Sequence, residues 1–487
     1  MFNISQSSQK MVVDHQSEAQ TTEKSDKWIQ LLYKEARAKY ATEATKRDLN
    51  GRELEALVRK VFASVNQKAI DTDGVSLSED LVLSVVGDLS GLGTLMTIIA
   101  DPEVEDIAIN LGMIYVYKTL TGWEYYDKAP ESLFAALRVL IDRAHQRPPT
   151  PDYPIADAML TQLVPDKNGT LKRKGLRVNF IAPPASPYGE IVTIRVSNFR
   201  EKDDIHNSNL AMLCERRLPP VPRKVFKPID FPRGDGVLTP EAANYLLSVM
   251  VAGGTVIIAG TTGSGKTFFA SRLLQEMLNF FRPGEIRLFI VEDSNEIVLN
   301  GWDGSPANDT RNIVYTVTRP EIPNGPKPVT MYDLIRAALR SRPHGLIIGE
   351  ARGAEAWEFV RATATGHGYS IFTIHATSAE HVWPRFMQVI QAHPDIKDVD
   401  EFKIAEQFAA AVTAIVYIER NAKDGQVIRE IVEVQRVVEK VASKPAMNPL
   451  FRFDPTAAKL LPTGNRPNRL GFRCEELGIL PDYFRMA

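Results

Sequence analysis

The sequence predicts an α/β protein with a mostly parallel sheet, preceded by a smaller α+β N-terminal domain and a helical extension. One observation is a buried strand that leads into a glycine-rich loop and then into a helical pattern, over residues 254–281. Another is the alternation of apolar strands with helices over 287–418, which is typical of parallel sheets covered on both faces. The last is a series of short strands between residues 101 and 199.

Composition narrows the class of protein. The 487 residues are enough for two or three domains, and the net charge of −2 argues against a protein that lives on nucleic acid. The two cysteines, Cys214 and Cys474, lie far apart and indicate a reducing compartment without a disulfide framework. Because neither a signal peptide nor an uninterrupted apolar span of about 20 residues occurs, we expect a cytoplasmic protein with at most peripheral membrane association.

Shifts in composition divide the chain into six predicted segments. Polar termini favour disorder, and a stretch rich in proline and charge favours a linker. The segments are a disordered tail (1–26), a helical extension (27–100), an α+β domain (101–199), a linker (200–236), the α/β domain (237–440) and a C-terminal tail (441–487).

Local periodicity places the elements within these segments. Trp28, Leu31, Leu32 and Ala36 mark one helical face, and a second helix is predicted over 51–65. Thr239 followed by a proline is a strong helix start. The predicted strands cover 104–110, 113–118, 122–126, 175–181, 190–196, 256–259, 287–291, 312–317, 345–348, 370–374 and 414–418, and the other predicted helices cover 130–145, 268–281, 331–341, 354–363 and 379–391.

The glycine-rich loop has the spacing of a phosphate-binding loop, Gly260-x-x-x-x-Gly265-Lys266-Thr267. Glycines let several backbone N–H groups point at one anion, and the following helix directs its positive dipole end at it. Lys266 can reach the β- and γ-phosphates of a nucleotide, and the Thr267 hydroxyl can bind Mg²⁺. The predicted nucleotide-binding residues are Gly260, Thr261, Thr262, Gly263, Ser264, Gly265, Lys266, Thr267 and Phe268.

Acidic residues follow two of the predicted strands. Glu350 ends one apolar strand, and Glu292 and Asp293 end another. Ligands of open α/β sheets bind at the carboxyl ends of strands, so these residues are candidates for positioning Mg²⁺ and water, with Asp293 and Glu350 as metal ligands. The alternative is that each carboxylate caps a strand end or is simply solvated.

Two histidines flank a further strand. His367 precedes the strand 370–374 and His375 follows it, and neither has a metal-ligand partner three or four residues away. A phosphate-sensing role competes here with a purely structural one.

The order of these motifs resembles the secretion-superfamily traffic ATPases of type II and type IV secretion, conjugation and type IV pilus machines. The similarity is carried by the phosphate loop, the run from Leu339 to Ala356, Thr365-Gly-His367 and Thr373-Ile-His-Ala376, and it extends over about residues 101–440. It implies a RecA-like core in which Glu292 and Asp293 form the aspartate box and Gly349 and Glu350 the Walker B motif. His367 and His375 then form the histidine box. Arg195 is implied to reach the phosphates from the N-terminal domain, with Arg177 as a second candidate.

The resemblance also implies a function. Such a protein would be a homo-hexameric ring that hydrolyses ATP with Mg²⁺ and powers a secretion, conjugation or pilus machine at the inner membrane. Its partners would be membrane-embedded machine components and other secretion ATPases, without direct contact to nucleic acid. The absence of Cys-x-x-Cys and the eight-residue histidine interval favour the type IV secretion and conjugation branch, although His344 replaces a frequent aspartate.

Two other classes of function stay open at this point. One is a nucleic-acid motor built on the same core, against which the near-zero net charge argues. The other is a ring that binds ATP, hydrolyses it slowly and serves as a nucleotide-dependent scaffold.

Overall fold

The structure of the protein is a computed structural model, and part of the chain is described from it. The described residues are 25, 27–43, 51–79, 81–82, 85–86, 89, 95–118, 121–130, 132–144, 146–165, 171–198, 229, 236–297, 299, 311–421, 425–435 and 444–469. Nearly all of the predicted disordered tail and of the predicted linker lies outside these ranges.

The helical extension has its own small core. A helix over 27–43 packs against the helix Gly51–Asp73, with Trp28, Leu32 and Val65 among the buried side chains between them. The Trp28 indole N–H donates to the Asp73 carboxylate at 2.7 Å, which ties the start of one helix to the end of the other. The second helix therefore runs eight residues past its predicted end at residue 65. A short helix, Leu95–Ala100, leads into the next domain.

The N-terminal domain is built on an antiparallel six-stranded sheet with the strand order β3-β2-β1-β6-β5-β4. Helix Ser132–Arg143 and helix Leu95–Ala100 contribute to its core. Strand β4 was not predicted, because prolines precede it closely along the chain. The strands are β1 (Val104–Asn110), β2 (Met113–Lys118), β3 (Gly122–Lys128), β4 (Ile155–Pro165), β5 (Leu171–Ile181) and β6 (Ile191–Asn198).

The core domain is built on a nine-stranded sheet with the order β15-β14-β13-β12-β7-β11-β10-β8-β9. The strands from β12 to β9 in this order are parallel, and the other three are antiparallel, so the predicted mostly parallel α/β sheet is confirmed. The strands are β7 (Thr255–Gly260), β8 (Leu288–Glu292), β9 (Ile313–Val317), β10 (Gly345–Ile348), β11 (Ser370–Ile374), β12 (Ala414–Asn421), β13 (Gly425–Gln435), β14 (Ala446–Asp454) and β15 (Lys459–Pro462).

Helices cover both faces of this sheet, because the central parallel strands are apolar throughout and need burial on each side. Local signals fix where helices begin: Pro240 occupies a first-turn position, and Thr330 and Asp333 form a capping box. The helices are Pro240–Val251, Lys266–Leu278, Met331–Arg340, Glu355–Ala364, Val382–Ile390 and Glu401–Ala411.

The C-terminal boundary needs a correction. Residues 441–487 were predicted to be a tail outside the α/β domain, but β14 and β15 within them extend the core sheet through β13. Phe451 and Leu450 of β14 are fully buried in the core. These strands were missed because their other residues face solvent and give no continuous apolar run. Residues 470–487 lie outside the described part.

The N-terminal domain contacts the amino end of the parallel strands. Arg287, which immediately precedes β8, is 0% exposed and its guanidinium lies 5.2 Å from the Trp123 ring centroid. The same guanidinium donates to acceptors from both domains: Ser341 O at 2.9 Å, Asn312 Oδ1 at 2.6 Å, Asn110 Oδ1 at 2.9 Å and Thr193 Oγ1 at 3.1 Å. A buried cation therefore bridges the two sheets at the end opposite the phosphate loop.

Candidate functional site

The phosphate loop joins the carboxyl end of β7 to helix Lys266–Leu278. Gly263 and Gly265 have φ angles of 72° and 88°, in the left-handed region that favours glycine. Gly260 has no space for a side chain, since a Cβ there would lie 2.6 Å from Ser264 Oγ. The Ser264 hydroxyl is buried and has no hydrogen-bond partner among the described residues. The loop is thus a tight backbone cradle containing one unused donor.

Lys266 lies at the centre of this cradle. Its side-chain ammonium donates to the carbonyls of Gly260 at 3.1 Å and Thr261 at 3.0 Å, and its Nζ is 3.4 Å from His375 Nδ1. The residue is only 7% exposed, and this burial lowers the pKa of the amine. An ammonium has three donors, so these contacts account for its whole capacity and hold it against the loop.

His375 connects the loop to the acidic cluster. Its Nε2 is 3.1 Å from Glu350 Oε1, while its Nδ1 faces the Lys266 ammonium. Since the ammonium can only donate, Nδ1 acts as the acceptor and Nε2 carries the proton that is donated to Glu350. His375 therefore links the loop lysine to the carboxylate that follows β10.

Arg352 holds the carboxylates on the outer side of this cluster. It makes a two-pronged contact with Glu350, at 2.7 Å from Nε and 2.8 Å from Nη2, and its Nη1 is 3.6 Å from Asp293 Oδ2. The hydrogen bond from Arg352 is the main reason that the pKa of Glu350 is lowered. Asp293 also accepts a hydrogen bond from Thr318 Oγ1 at 3.0 Å. Glu350 is thus ionised at neutral pH.

Glu292 occupies a different environment at the end of β8. It is 2% exposed, and burial raises the pKa of its carboxyl to about 7 even though the backbone N–H groups of Glu296 and Ile297 donate to it. A Cβ on Gly349 would lie 3.0 Å from Glu292 Cγ, so the glycine gives this side chain its space. Two neighbouring carboxyls with separated pKa values can take different roles, one as a fixed anion and one as a proton acceptor near pH 7.

The part of the chain that carries this site is similar to a known protein family. Residues 235–442 match the family described as Type II/IV secretion system protein. VirB11 of Brucella suis is 26% identical over 329 residues, which cover 67% of this chain and 83% of that protein. PtlH of Bordetella pertussis is 26% identical over 339 residues, covering 66% and 87%. Both are described as type IV secretion system proteins.

A solved structure shows a similarity to the same group of proteins. The VirB11 ATPase from the Brucella suis type IV secretion system, in complex with sulphate, is 25% identical with a TM-score of 0.51 and covers 70% of this chain and 92% of that chain. These similarities support a type II/IV secretion traffic ATPase of the type IV branch. The predicted recognition and the predicted enzyme class are confirmed at this level.

Not every predicted site residue reaches the loop. His367 lies before β11, at the amino end of the strand whose carboxyl end carries His375, and its Nδ1 contacts the Pro343 carbonyl at 2.9 Å. A five-residue strand spans roughly 16 Å, so the two histidines face opposite edges of the sheet. Sequence order brought them into one motif, but the strand between them separates them.

Arg195 also lies at that opposite edge of the sheet. Its Nε donates to Asp106 Oδ1 at 3.0 Å, and Arg342, just before β10, donates to the other oxygen of Asp106 at 2.5 Å. Since the phosphate loop lies at the carboxyl end of the sheet, Arg195 does not reach the loop of its own chain. Arg177 pairs with Arg195 across β5 and β6 and is exposed.

The other predicted residues lie in the loop itself. Thr261, Thr262 and Gly263 are exposed, Thr267 is half-buried, and Phe268 is 63% exposed. Two contributors were missed by sequence reasoning. Arg352 lies within the run from Leu339 to Ala356, two residues after Glu350, and its positive charge could have indicated a contact with that carboxylate. Gln426 of β13 donates to the Ser264 carbonyl at 2.7 Å, and no local pattern pointed to it.

Proposed function

We propose that this chain hydrolyses ATP with Mg²⁺ as a ring-forming motor of a type IV secretion machine. The observation that carries the chemistry is the continuous contact from Lys266 through His375 to Glu350. It joins the phosphate cradle to an ionised carboxylate at one edge of the sheet, where open α/β sheets bind ligands.

The residues divide the work of phosphoanhydride cleavage between them. Loop N–H groups and the Lys266 ammonium would bind the β- and γ-phosphates, for which the ammonium must leave the Gly260 and Thr261 carbonyls. Glu350 would then orient the attacking water, and His375 would register whether Lys266 is engaged. Glu292, with a pKa of about 7, is suited to receive the proton that the water releases.

Mg²⁺ fits this site as a partner of the nucleotide. No group of three His, Cys, Asp or Glu side chains that could hold a metal ion occurs in the described ranges. Magnesium in phosphate-loop proteins uses one or two protein oxygens together with phosphates and water. Thr267 would supply the hydroxyl, with Asp293 and Glu350 as carboxylates close by, and the ion would neutralise charge developing on the phosphates.

We propose a homo-hexamer as the working form, on the strength of the family. A ring would also give Arg195 and Arg177 a role, since their contact with phosphates could only be made with the loop of a neighbouring chain. No helix in the described part of the chain has the length and hydropathy of a membrane span. Attachment to the inner membrane would run through the membrane-embedded components of the machine, as VirB11 and PtlH belong to type IV secretion systems.

ATP turnover of purified variants tests the enzymatic part. Lys266→Ala and Glu350→Gln should each lower kcat at least 100-fold, because one removes the phosphate-binding cation and the other the anion near the attacking water. Lys403→Ala and Glu406→Gln, the same changes on the exposed face of helix Glu401–Ala411, should keep wild-type rates. Wild-type turnover by a folded Lys266→Ala variant would refute the proposal.

Solution mass tests the ring. Light scattering with and without a non-hydrolysable ATP analogue should give about six times the chain mass of 54.3 kDa in at least one condition. A monomer in both conditions at micromolar concentration would contradict the hexamer and leave the ATPase proposal to the turnover assay.

A further inference from the structure

An apolar pocket lies beside the phosphate loop, and neither the loop lysine nor the acidic residues line it. It has a volume of about 240 Å³ and opens between helix Pro240–Val251 and helix Lys266–Leu278. Leu238, Pro240 and Ala243 line one side, and Phe269 and Leu273 line the other.

One polar group inside this apolar lining lacks a partner. The Nε of Arg272 is buried and makes no hydrogen bond within the ranges that the structure describes. Its guanidinium carbon lies 5.3 Å from the centroid of the Phe268 ring, which is itself 63% exposed. A large exposed aromatic ring and a flat cation thus lie side by side at the rim of the pocket, and both kinds of group stack on nucleobases.

The pocket lies close to the cradle. Phe269 follows Lys266 by three residues, or about 4.5 Å along the helix axis. Helix Pro240–Val251 leads into the amino end of β7, so its first residues, which line the pocket, point back toward the edge of the sheet that carries the loop. Both helices therefore begin at this edge and run in the same direction, and the pocket begins within one helical turn of the phosphate-binding lysine.

The pocket also lies on the side of the loop away from the acids. Tyr245 of helix Pro240–Val251 contacts Phe451 of β14, with ring centroids 6.0 Å apart, which places this helix over the β12–β14 side of the sheet. Glu350 and Glu292 follow β10 and β8, on the other side of β7. A nucleotide lying across the loop with its γ-phosphate toward Glu350 would carry its base toward the pocket.

We propose that this pocket binds the purine base of the nucleotide whose phosphates the loop holds, with Arg272 and Phe268 stacking on the base. The inference rests on the proposed ATPase function and adds the part of the site that recognises the base. The apolar lining suits the faces of a purine, and the Glu276 carboxylate, which lines the same pocket, can accept an N–H from the base edge.

The test compares two ligands on wild type and two variants by calorimetry in the presence of Mg²⁺. ATP carries both base and phosphates, whereas inorganic tripolyphosphate carries only the phosphates. Ala243→Phe fills the pocket, and Arg272→Lys keeps the charge but removes the flat guanidinium. Ala63→Phe, on an exposed position of helix Gly51–Asp73, is the matched control for a bulky substitution.

We expect wild type to bind ATP more tightly than tripolyphosphate. Ala243→Phe should weaken ATP binding about tenfold or more, in line with the loss of roughly one base contact, and leave tripolyphosphate within twofold. Arg272→Lys should weaken ATP about threefold to tenfold with tripolyphosphate again unchanged, and the control should match wild type.

Equal affinity of wild type for both ligands would overturn the base site alone. Unchanged ATP affinity in both folded pocket variants would do the same. Equal weakening of both ligands in the variants would also overturn it, because the pocket would then act on the phosphates. Wild type that binds neither ligand would overturn the proposed function as well, so the two failures are distinguishable.

Discussion

The two ends of the core sheet carry similar residue types in opposite settings. At the carboxyl end, Lys266, His375, Glu350 and Arg352 form a chain that runs from a buried lysine to solvent, with the Arg352 side chain 64% exposed. At the amino end, Arg287 is fully buried and its hydrogen bonds join two domains. The cations and polar groups at the carboxyl end can contact a ligand. Those at the amino end hold the two domains together through their hydrogen bonds.

This contrast explains why sequence motifs alone mislead at this sheet. β11 has one histidine at each end, and only the one at the carboxyl end, His375, contacts the phosphate loop. Parallel strands place all their carboxyl ends along one edge, so the position of a residue relative to its strand decides which chemistry it can join. The four predictions below test this difference, in order of decreasing effect.

The largest effect is expected from removing the buried cation. Arg287→Met should lower the free energy of unfolding by about 3–5 kcal/mol, because acceptors from both domains lose their donor while staying buried. Arg340→Met, which breaks the half-exposed contact of Arg340 with Asp157 at the same domain interface, should cost less than about 1 kcal/mol. Urea unfolding of both variants measures the difference, and equal losses would refute the contrast.

The pH dependence of stability should have opposite signs at the two ends. Burial raises the pKa of Glu292 to about 7, so the folded state holds its proton more tightly, and stability falls as pH rises from about 4.5 to 7. Burial lowers the pKa of His344 to about 4, so the unfolded state takes up the proton first, and stability rises across pH 4 to 6.5.

Variants separate these two contributions. As pH rises from 4.5 to 7, the free energy of unfolding of Glu292→Gln should rise by roughly 3 kcal/mol relative to wild type. The free energy of unfolding of His344→Asn should instead fall relative to wild type over the same range. Urea titrations at several pH values measure both slopes. Parallel stability profiles for wild type and Glu292→Gln would show that the carboxyl is not buried in the folded protein.

The two histidines should differ in their effect on turnover. His375→Ala removes the link between Lys266 and Glu350 and should lower kcat about 10- to 100-fold. His367→Ala loses only the contact with the Pro343 carbonyl and should stay within a few-fold of wild type. Steady-state ATP hydrolysis decides between them; a larger loss for His367→Ala would mean that the amino end takes part in catalysis, for instance across a ring interface.

The smallest stability effect is expected for the exposed cation. Arg352→Ala should change the free energy of unfolding by less than about 1 kcal/mol, since surface ion pairs contribute little. It should nevertheless move the acidic limb of the pH–rate profile to higher pH, because the hydrogen bond from Arg352 lowers the pKa of Glu350. An unchanged profile would show that Glu350 does not limit turnover on the acidic side.

Much of the fold was predictable because its signals are local. The phosphate loop, the apolar strands and the proline that begins helix Pro240–Val251 depend on neighbouring residues only. Strands β13–β15 were missed because their pairing partners, rather than their own periodicity, determine that they form.

The site was predictable in part for the same reason. Glu350 and Lys266 belong to local motifs, and the structure brings them together through His375. Gln426 acts through a contact with Ser264 that sequence spacing does not encode. The distance of Arg195 from the loop could not be read from the sequence because it depends on how two domains pack.

The central claim is that ATP is bound and hydrolysed at the carboxyl end of the core sheet. A crystal structure with Mg²⁺ and a non-hydrolysable ATP analogue tests it most directly. The account predicts the γ-phosphate between Lys266 and Glu350, with the Lys266 ammonium moved off the Gly260 and Thr261 carbonyls. A nucleotide bound elsewhere, or a γ-phosphate that Lys266 does not contact, would contradict it.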